Sequence, residues 1–189
     1  MKKHIHIFGA SGSGTTTIAR LVSDKLGYKH FDSDDYFWVK TKEPFTVQRD
    51  REECFDLLEA DLSSCDEWVL SGSVVGWGDD LHSKFDLIVF VYVPGDIRLE
   101  RLEKREYERY GDEILAGGSK YESSQAFLNW AATYDGNPEY GRSLQMHENW
   151  IQELEQPVFR IENINLGKSV DLVLNEIRQT GGISCILTL

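Results

Sequence analysis

Two apolar periods alternate along this chain, one of two residues and one between three and four. His4-Ile5-His6-Ile7-Phe8 alternates with branched and aromatic residues, as a strand does. From Thr17 to Leu26, residues Ile18, Leu21, Val22 and Leu26 fall on one helical stripe that stops at Gly27. Tyr28 to Phe31 predicts a short second strand, Arg49 to Leu62 a helix, and Trp68 to Leu70 a third strand ending at Ser71-Gly72-Ser73. Asp86 to Val93 is a near-continuous apolar run, the mark of a strand buried on both faces. Pro94-Gly95 ends it, and Asp96 can cap the helix that follows. Pro157 to Glu162 predicts a fifth strand and Lys168 to Arg178 the last helix. This βαβ alternation implies an α/β fold: a five-stranded parallel sheet between two helical layers. Ligands of such sheets sit beyond the carboxyl ends of the strands, so the segments after each strand are where chemistry is expected.

Composition narrows the class without changing that picture. At 189 residues the chain is expected to be one domain, and 41% hydrophobic residues exclude a wholly disordered one. A net charge of −12 argues against a nucleic-acid or anionic-membrane surface, so neither is expected as a partner. No apolar run approaches the roughly 18 residues of a membrane span. The first strand begins almost at once, which leaves no room for a signal peptide. Cys54, Cys65 and Cys185 are odd in number and form no C-x-x-C pair, which suits reduced thiols in the cytoplasm.

The turn between the first strand and helix carries the strongest chemistry. Gly9-Ala10-Ser11-Gly12-Ser13-Gly14-Thr15-Thr16 has the spacing of a phosphate-binding P-loop, G-x-x-x-x-G-K-[ST], with Thr15 where lysine is usual. The flanking strand and helix are what the motif needs, because a helix N-terminus adds unpaired N–H groups to an anion site. Gly9, Ser11, Gly12, Ser13, Gly14, Thr15, Thr16 and Thr17 are the expected nucleotide contacts, and Thr16 supplies a hydroxyl for Mg²⁺. The lysine's charge is missing.

After the second strand comes Phe31-Asp32-Ser33-Asp34-Asp35-Tyr36-Phe37-Trp38. Three carboxylates in four residues repel one another unless Mg²⁺ or a substrate hydroxyl shares them. Asp32 is the candidate metal partner of Thr16, and Asp34 or Asp35 the candidate base; a solvated acidic helix cap is the plainer reading. Tyr36 and Trp38 either stack on a substrate or pin a loop. Arg49 and Arg51 can bind an acceptor phosphate. After the third strand, Ser73 and Trp77 lie where a substrate-binding loop often sits.

The helix from Asp96 carries Arg98, Arg101, Arg105 and Arg109 within a sector of roughly 80°. This stripe is either a solvated salt-bridge face or a clamp that closes on phosphates, with Arg101 and Arg105 as catalytic candidates. Gly111, Gly117 and Gly118 form a hinge candidate after it. The aromatic stretch beyond, with the helix through Trp150, completes a helical lid over about 98–150; the substrate segment spans about 32–62.

On these residues the chain resembles the P-loop nucleotide and small-molecule kinases of the adenylate-kinase-like group, over nearly its whole length. Asp32-Ser33-Asp34 is similar to the Asp-x-Asp of shikimate kinases, whose acids contact Mg²⁺ and the acceptor hydroxyl. Asp34-Asp35-Tyr36-Phe37 also resembles the segment of uridine and nicotinamide riboside kinases, whose acid is the general base. The resemblance implies phosphoryl transfer from ATP or GTP, with Mg²⁺, to a nucleotide, nucleoside or similar small hydroxyl acceptor. Thr15 departs from the pattern. Either an arginine of the stripe, or Lys120 beyond the hinge, restores the charge, or the chain is a nucleotide-binding sensor with little kinase activity.

Overall fold

A computed structural model describes residues 1–136, 141–156 and 158–179. The apolar tail at 181–189, Cys185 and the expected start of the fifth strand at Pro157 lie outside the described residues. Five strands, β1 (His4–Gly9), β2 (Lys29–Asp32), β3 (Trp68–Ser71), β4 (Leu87–Tyr92) and β5 (Val158–Glu162), form one sheet in the order β2-β3-β1-β4-β5. Every pairing is parallel. Helices α1 (Thr15–Leu26), α2 (Ser33–Phe37), α3 (Arg51–Ser63), α4 (Gly95–Tyr110), α5 (Tyr121–Ala132), α6 (Leu144–Gln152) and α7 (Leu166–Arg178) complete the chain, with short 3₁₀ turns between them. The α/β fold expected from the alternation is present, and it is that of a P-loop NTPase.

The two-residue period of the strands explains the layers. Ile5 and Ile7 of β1, with Val69, Val89 and Val91, pack on one face against Ile18 and Val22 of α1 and Val173 and Ile177 of α7. Phe8, Leu70, Ile88 and Phe90 pack on the other against Leu58 and Leu62 of α3 and Trp150 of α6. Each such side chain, fully buried, is worth about 1.5–3 kcal/mol. The continuous apolar run of β4 follows from this, since both its faces are covered. β1 sits at the centre, between β3 and β4, so the loop at its carboxyl end opens into the crevice where the connections part.

Boundaries differ from expectation where polar side chains act on backbone. Helix α3 starts at Arg51 rather than Arg49, because Asp50 caps it by accepting from the Glu52 N–H at 2.9 Å. The acidic segment forms a helix of its own, α2, capped by Asp32, which accepts from the Asp34 N–H at 3.2 Å. Residues 38–48 then fold back on themselves, with Trp38 bridging Gln48 and the Val39 N–H donating to the Val47 carbonyl at 2.9 Å.

Candidate functional site

The P-loop leaves β1 through glycines that no other residue can replace cheaply. Gly12 and Gly14 have φ of +83° and +86°, and a Cβ on Gly12 would lie 2.8 Å from the Arg98 carbonyl oxygen. Gly14 hands over directly to α1, whose first N–H groups carry no side-chain cap and point into the loop. Thr16 on the first turn of α1 donates its hydroxyl to Asp32 Oδ2 at 2.9 Å. Asp32 therefore does two things at once: one oxygen caps α2 and the other meets the P-loop threonine. A hydroxyl and a carboxylate in contact are oxygen donors that suit Mg²⁺, which needs only one or two protein ligands beside phosphate oxygens and water. Among the described residues no cluster of three or more His, Cys, Asp or Glu side chains that could hold a metal exists.

The two candidate bases part company. Asp35 turns to the surface and pairs with Lys40 at 3.6 Å. Asp34 remains open to solvent but is ringed by protein, and this burial, with Asp32 beside it, raises its carboxyl above the usual range. Arg142 and Arg105 pull it back down, so both guanidinium groups stand within electrostatic reach of it. Arg105 lies 5.7 Å over the Phe127 ring, which ties the middle of α4 to α5. Arg142 follows a glycine in an irregular stretch before α6 and is partly buried, and desolvation lowers its guanidinium from the usual value. It has no periodic signal, which is why sequence reading passes over it.

The arginine stripe serves three purposes rather than one. Arg98 is 1% exposed, donates to the Val93 and Ala131 carbonyls, and pairs with Asp135. Arg101 donates to the Asn163 carbonyl at 2.9 Å and, more weakly, to that of Gly12 at 3.5 Å. Its guanidinium is thus engaged with backbone carbonyls of the loop and of the segment after β5. Of the four arginines, Arg105 is the one whose charge acts on Asp34. Arg109 covers Phe45 at 5.2 Å and Lys120 pairs with Glu43 at 2.8 Å, so both tie the stretch from α4 to α5 to the 38–48 loop.

Several expected substrate contacts are engaged elsewhere. Ser73 is 3% exposed and turned inward, its hydroxyl 3.1 Å from His147 Nε2. Arg49 donates to the Tyr36 carbonyl and to Glu53, and Tyr36 donates to Asp61 at 2.7 Å. Arg51 donates to the Gly76 carbonyl at 3.1 Å. Trp38 meets Phe37 and Phe45 edge-on, and Trp77 lies 6.1 Å from Phe37. Of the two readings of these aromatics, pinning a loop is the one their contacts describe.

A buried polar chain braces the far side. Tyr134 Oη lies 2.7 Å from His147 Nδ1 and Ser73 Oγ 3.1 Å from its Nε2, so both ring nitrogens are hydrogen-bonded. Burial holds the His147 imidazole down at about 3 and that of His6 at about 4. Unfolded, each takes up a proton near pH 6.5. Both depressed values give stability that is complete above about pH 6.5 and drains as pH falls toward the folded values. For His6 alone the difference amounts to about 3 kcal/mol. The midpoint of thermal unfolding should therefore drop steeply between pH 7 and pH 4, and His147→Gln should make that slope shallower. An equal slope in wild type and variant would assign acid sensitivity to other groups.

With this geometry in view, the relatives of the chain can be placed. "Uncharacterized protein YqaC" of Bacillus subtilis is 50% identical over 176 residues, 93% of this chain and 97% of that protein. A cytidylate kinase of Archaeoglobus fulgidus is 29% identical over 113 residues, which cover 54% of this chain and 61% of that enzyme. Among solved structures, a shikimate kinase from Bacteroides thetaiotaomicron superposes with a TM-score of 0.56 at 17% identity, over 95% of this chain and 100% of that one. A shikimate kinase from Acinetobacter baumannii gives 0.54 at 16% identity, over 93% and 92%. At such identities the structural likeness speaks for the fold alone. The AAA domain family model matches residues 5–126, well over half of the chain, and the chain belongs to that family.

Proposed function

We propose that the protein is a kinase that transfers the γ-phosphoryl group of ATP or GTP to a nucleotide, nucleoside or similar small hydroxyl acceptor. The observation that carries this reading is the contact of Thr16 with Asp32 at 2.9 Å, two residues from an Asp34 on which the charges of Arg142 and Arg105 act. The P-loop N–H groups would hold the β- and γ-phosphates, and Thr16 and Asp32 would hold Mg²⁺. When bound, the metal would supply neutralisation of phosphate charge. Asp34 accepts the proton of the acceptor hydroxyl as its oxygen forms a bond to the γ-phosphorus. The bond from that phosphorus to the β-bridging oxygen breaks, and the nucleoside diphosphate leaves. A carboxyl raised above its usual range is a stronger base for this task than an ordinary aspartate. Arg105 and Arg142 supply positive charge that residue 15 does not.

Thr15 favours a second reading, nucleotide binding without transfer, in which the backbone grips the phosphates and chemistry is lost. Release of ADP, measured across a panel of monophosphates, nucleosides and polyols, separates the two. Turnover that depends on one acceptor class is expected. Tight nucleotide binding with no turnover on any acceptor would favour the sensor instead.

A further inference from the structure

Three consecutive residues at the carboxyl end of β3 each meet a different imidazole. Ser71 Oγ lies 2.9 Å from His30 Nε2, the Gly72 carbonyl oxygen 2.8 Å from His6 Nε2, and Ser73 Oγ 3.1 Å from His147 Nε2. His6 on β1 and His147 on α6 are both 0% exposed. Phe8 stacks on His6 at 5.2 Å and meets His147 edge-on at 5.1 Å, with Phe85 and Trp150 also against His6. Histidine is a costly choice for such an aromatic core. A carbonyl can only accept, so His6 Nε2 carries the proton, and Nδ1 is buried without a partner among the described residues. Packing alone would be served better by an apolar side chain, because an unpaired buried nitrogen carries a desolvation cost that carbon does not. What the imidazole adds over carbon is the bond to Gly72.

Gly72 is held at both backbone groups by β1. Its N–H donates to the Ile7 carbonyl at 3.0 Å, and its carbonyl accepts from His6, the residue before. The acidic segment closes its other side: a Cβ on Gly72 would collide with Ser33 Oγ and lie 3.6 Å from Asp32 Oδ1. Gly72 is thus wedged between β1 and the start of α2, so a shift of this loop passes to Ser33, next to the candidate base. At the following residue, the Ser73 hydroxyl that faces His147 also accepts from the Val75 N–H at 3.3 Å, so one oxygen ties α6 to the turn beyond β3. We propose that His6 and His147 are positioning residues for the acceptor side of the site. They fix Gly72 and Ser73 against Asp32-Ser33-Asp34, and through them the base, while touching no ligand. This rests on the reading of Asp34 as the base of a kinase and adds what holds it in place.

The test follows ADP release with the acceptor class selected from the panel of monophosphates, nucleosides and polyols, for wild type, His6→Leu, His6→Gln and Ser73→Ala. Leucine removes the donor, whereas the glutamine amide can place an N–H where Nε2 stands. Ser73→Ala removes the hydroxyl that His147 holds. His6→Leu should lower kcat/KM for the acceptor by about tenfold to a hundredfold, the cost of a displaced reacting group. His6→Gln should stay within about threefold of wild type, and Ser73→Ala should lose about threefold to tenfold. ATP affinity without Mg²⁺, read by calorimetry, reports on the P-loop alone and should move by less than about twofold in all three. A folded His6→Leu with wild-type kinetics overturns the inference. So does a His6→Gln as impaired as His6→Leu, which would make the ring and not its bond the requirement. Equal losses in ATP affinity and acceptor kinetics overturn it as well, because a loosened sheet weakens both. If His6→Leu does not fold, Ser73→Ala, which loses one hydroxyl, decides by the same comparison. Wild type that releases no ADP with any acceptor would reject the kinase reading itself.

Discussion

Asp34→Asn should lower kcat by about 10²- to 10⁴-fold, the range of a lost general base, while nucleotide affinity stays near wild type. The amide keeps the shape of the carboxylate and loses only its capacity to take a proton. Asp35→Asn should cost little, because that carboxylate faces Lys40 at the surface and is screened by solvent. The two neighbours thus form an internal control. Because desolvation by the surrounding protein and the Asp32 charge raise the solvent-open Asp34 carboxyl, the acid limb of the kcat/KM profile should lie above the range of an ordinary aspartate. That limb should vanish in Asp34→Asn. Equal losses in the two variants, or an acid limb that survives the substitution, would move the base elsewhere.

How far this site could be read from the chain depends on where each residue's signal lives. The P-loop, its flanking strand and helix, and the buried β4 are legible because local period and spacing encode them. So is the meeting of Thr16 with Asp32, since the loop that leaves β1 and the last residue of β2 lie at the same edge of the sheet. The arginine stripe is legible as a stripe, but its division of labour is not. A helix of 16 residues presents its turns to different neighbours, and only tertiary packing decides that Arg98 is buried, Arg101 meets carbonyls and Arg105 meets the acids. Asn163 follows a strand, so the rule that ligands gather at strand ends singles out its position, although nothing local announces its partner 150 residues away. Arg142 sits between elements and carries no period at all. Ser73 stands just past β3, where the same rule expects a ligand contact, but its side chain is buried against His147, and no local signal announces that partner either.

The missing lysine sets the remaining prediction. A unit charge about 4 Å from a phosphate is worth roughly 4 kcal/mol at an effective dielectric of 20. Confined to the transition state, that is about three decades of rate. If Arg105 supplies this charge, Arg105→Gln should lower kcat by about 10²- to 10³-fold, and Thr15→Lys alone should raise it by less than about tenfold. In the double variant the new lysine should recover at least about tenfold of the Arg105→Gln loss, because two cations aimed at one phosphate replace each other rather than add. Thr15 opens α1, so a lysine there also meets the positive end of the helix dipole, at a cost of about 0.3–1 kcal/mol. That cost is far smaller than the effect sought. A gain of three decades from Thr15→Lys in the otherwise native chain would mean that no arginine occupies the role. Strict additivity in the cycle would say that Arg105 and residue 15 act on different groups, and would pass the assignment to Arg142, whose own substitution by glutamine completes the test.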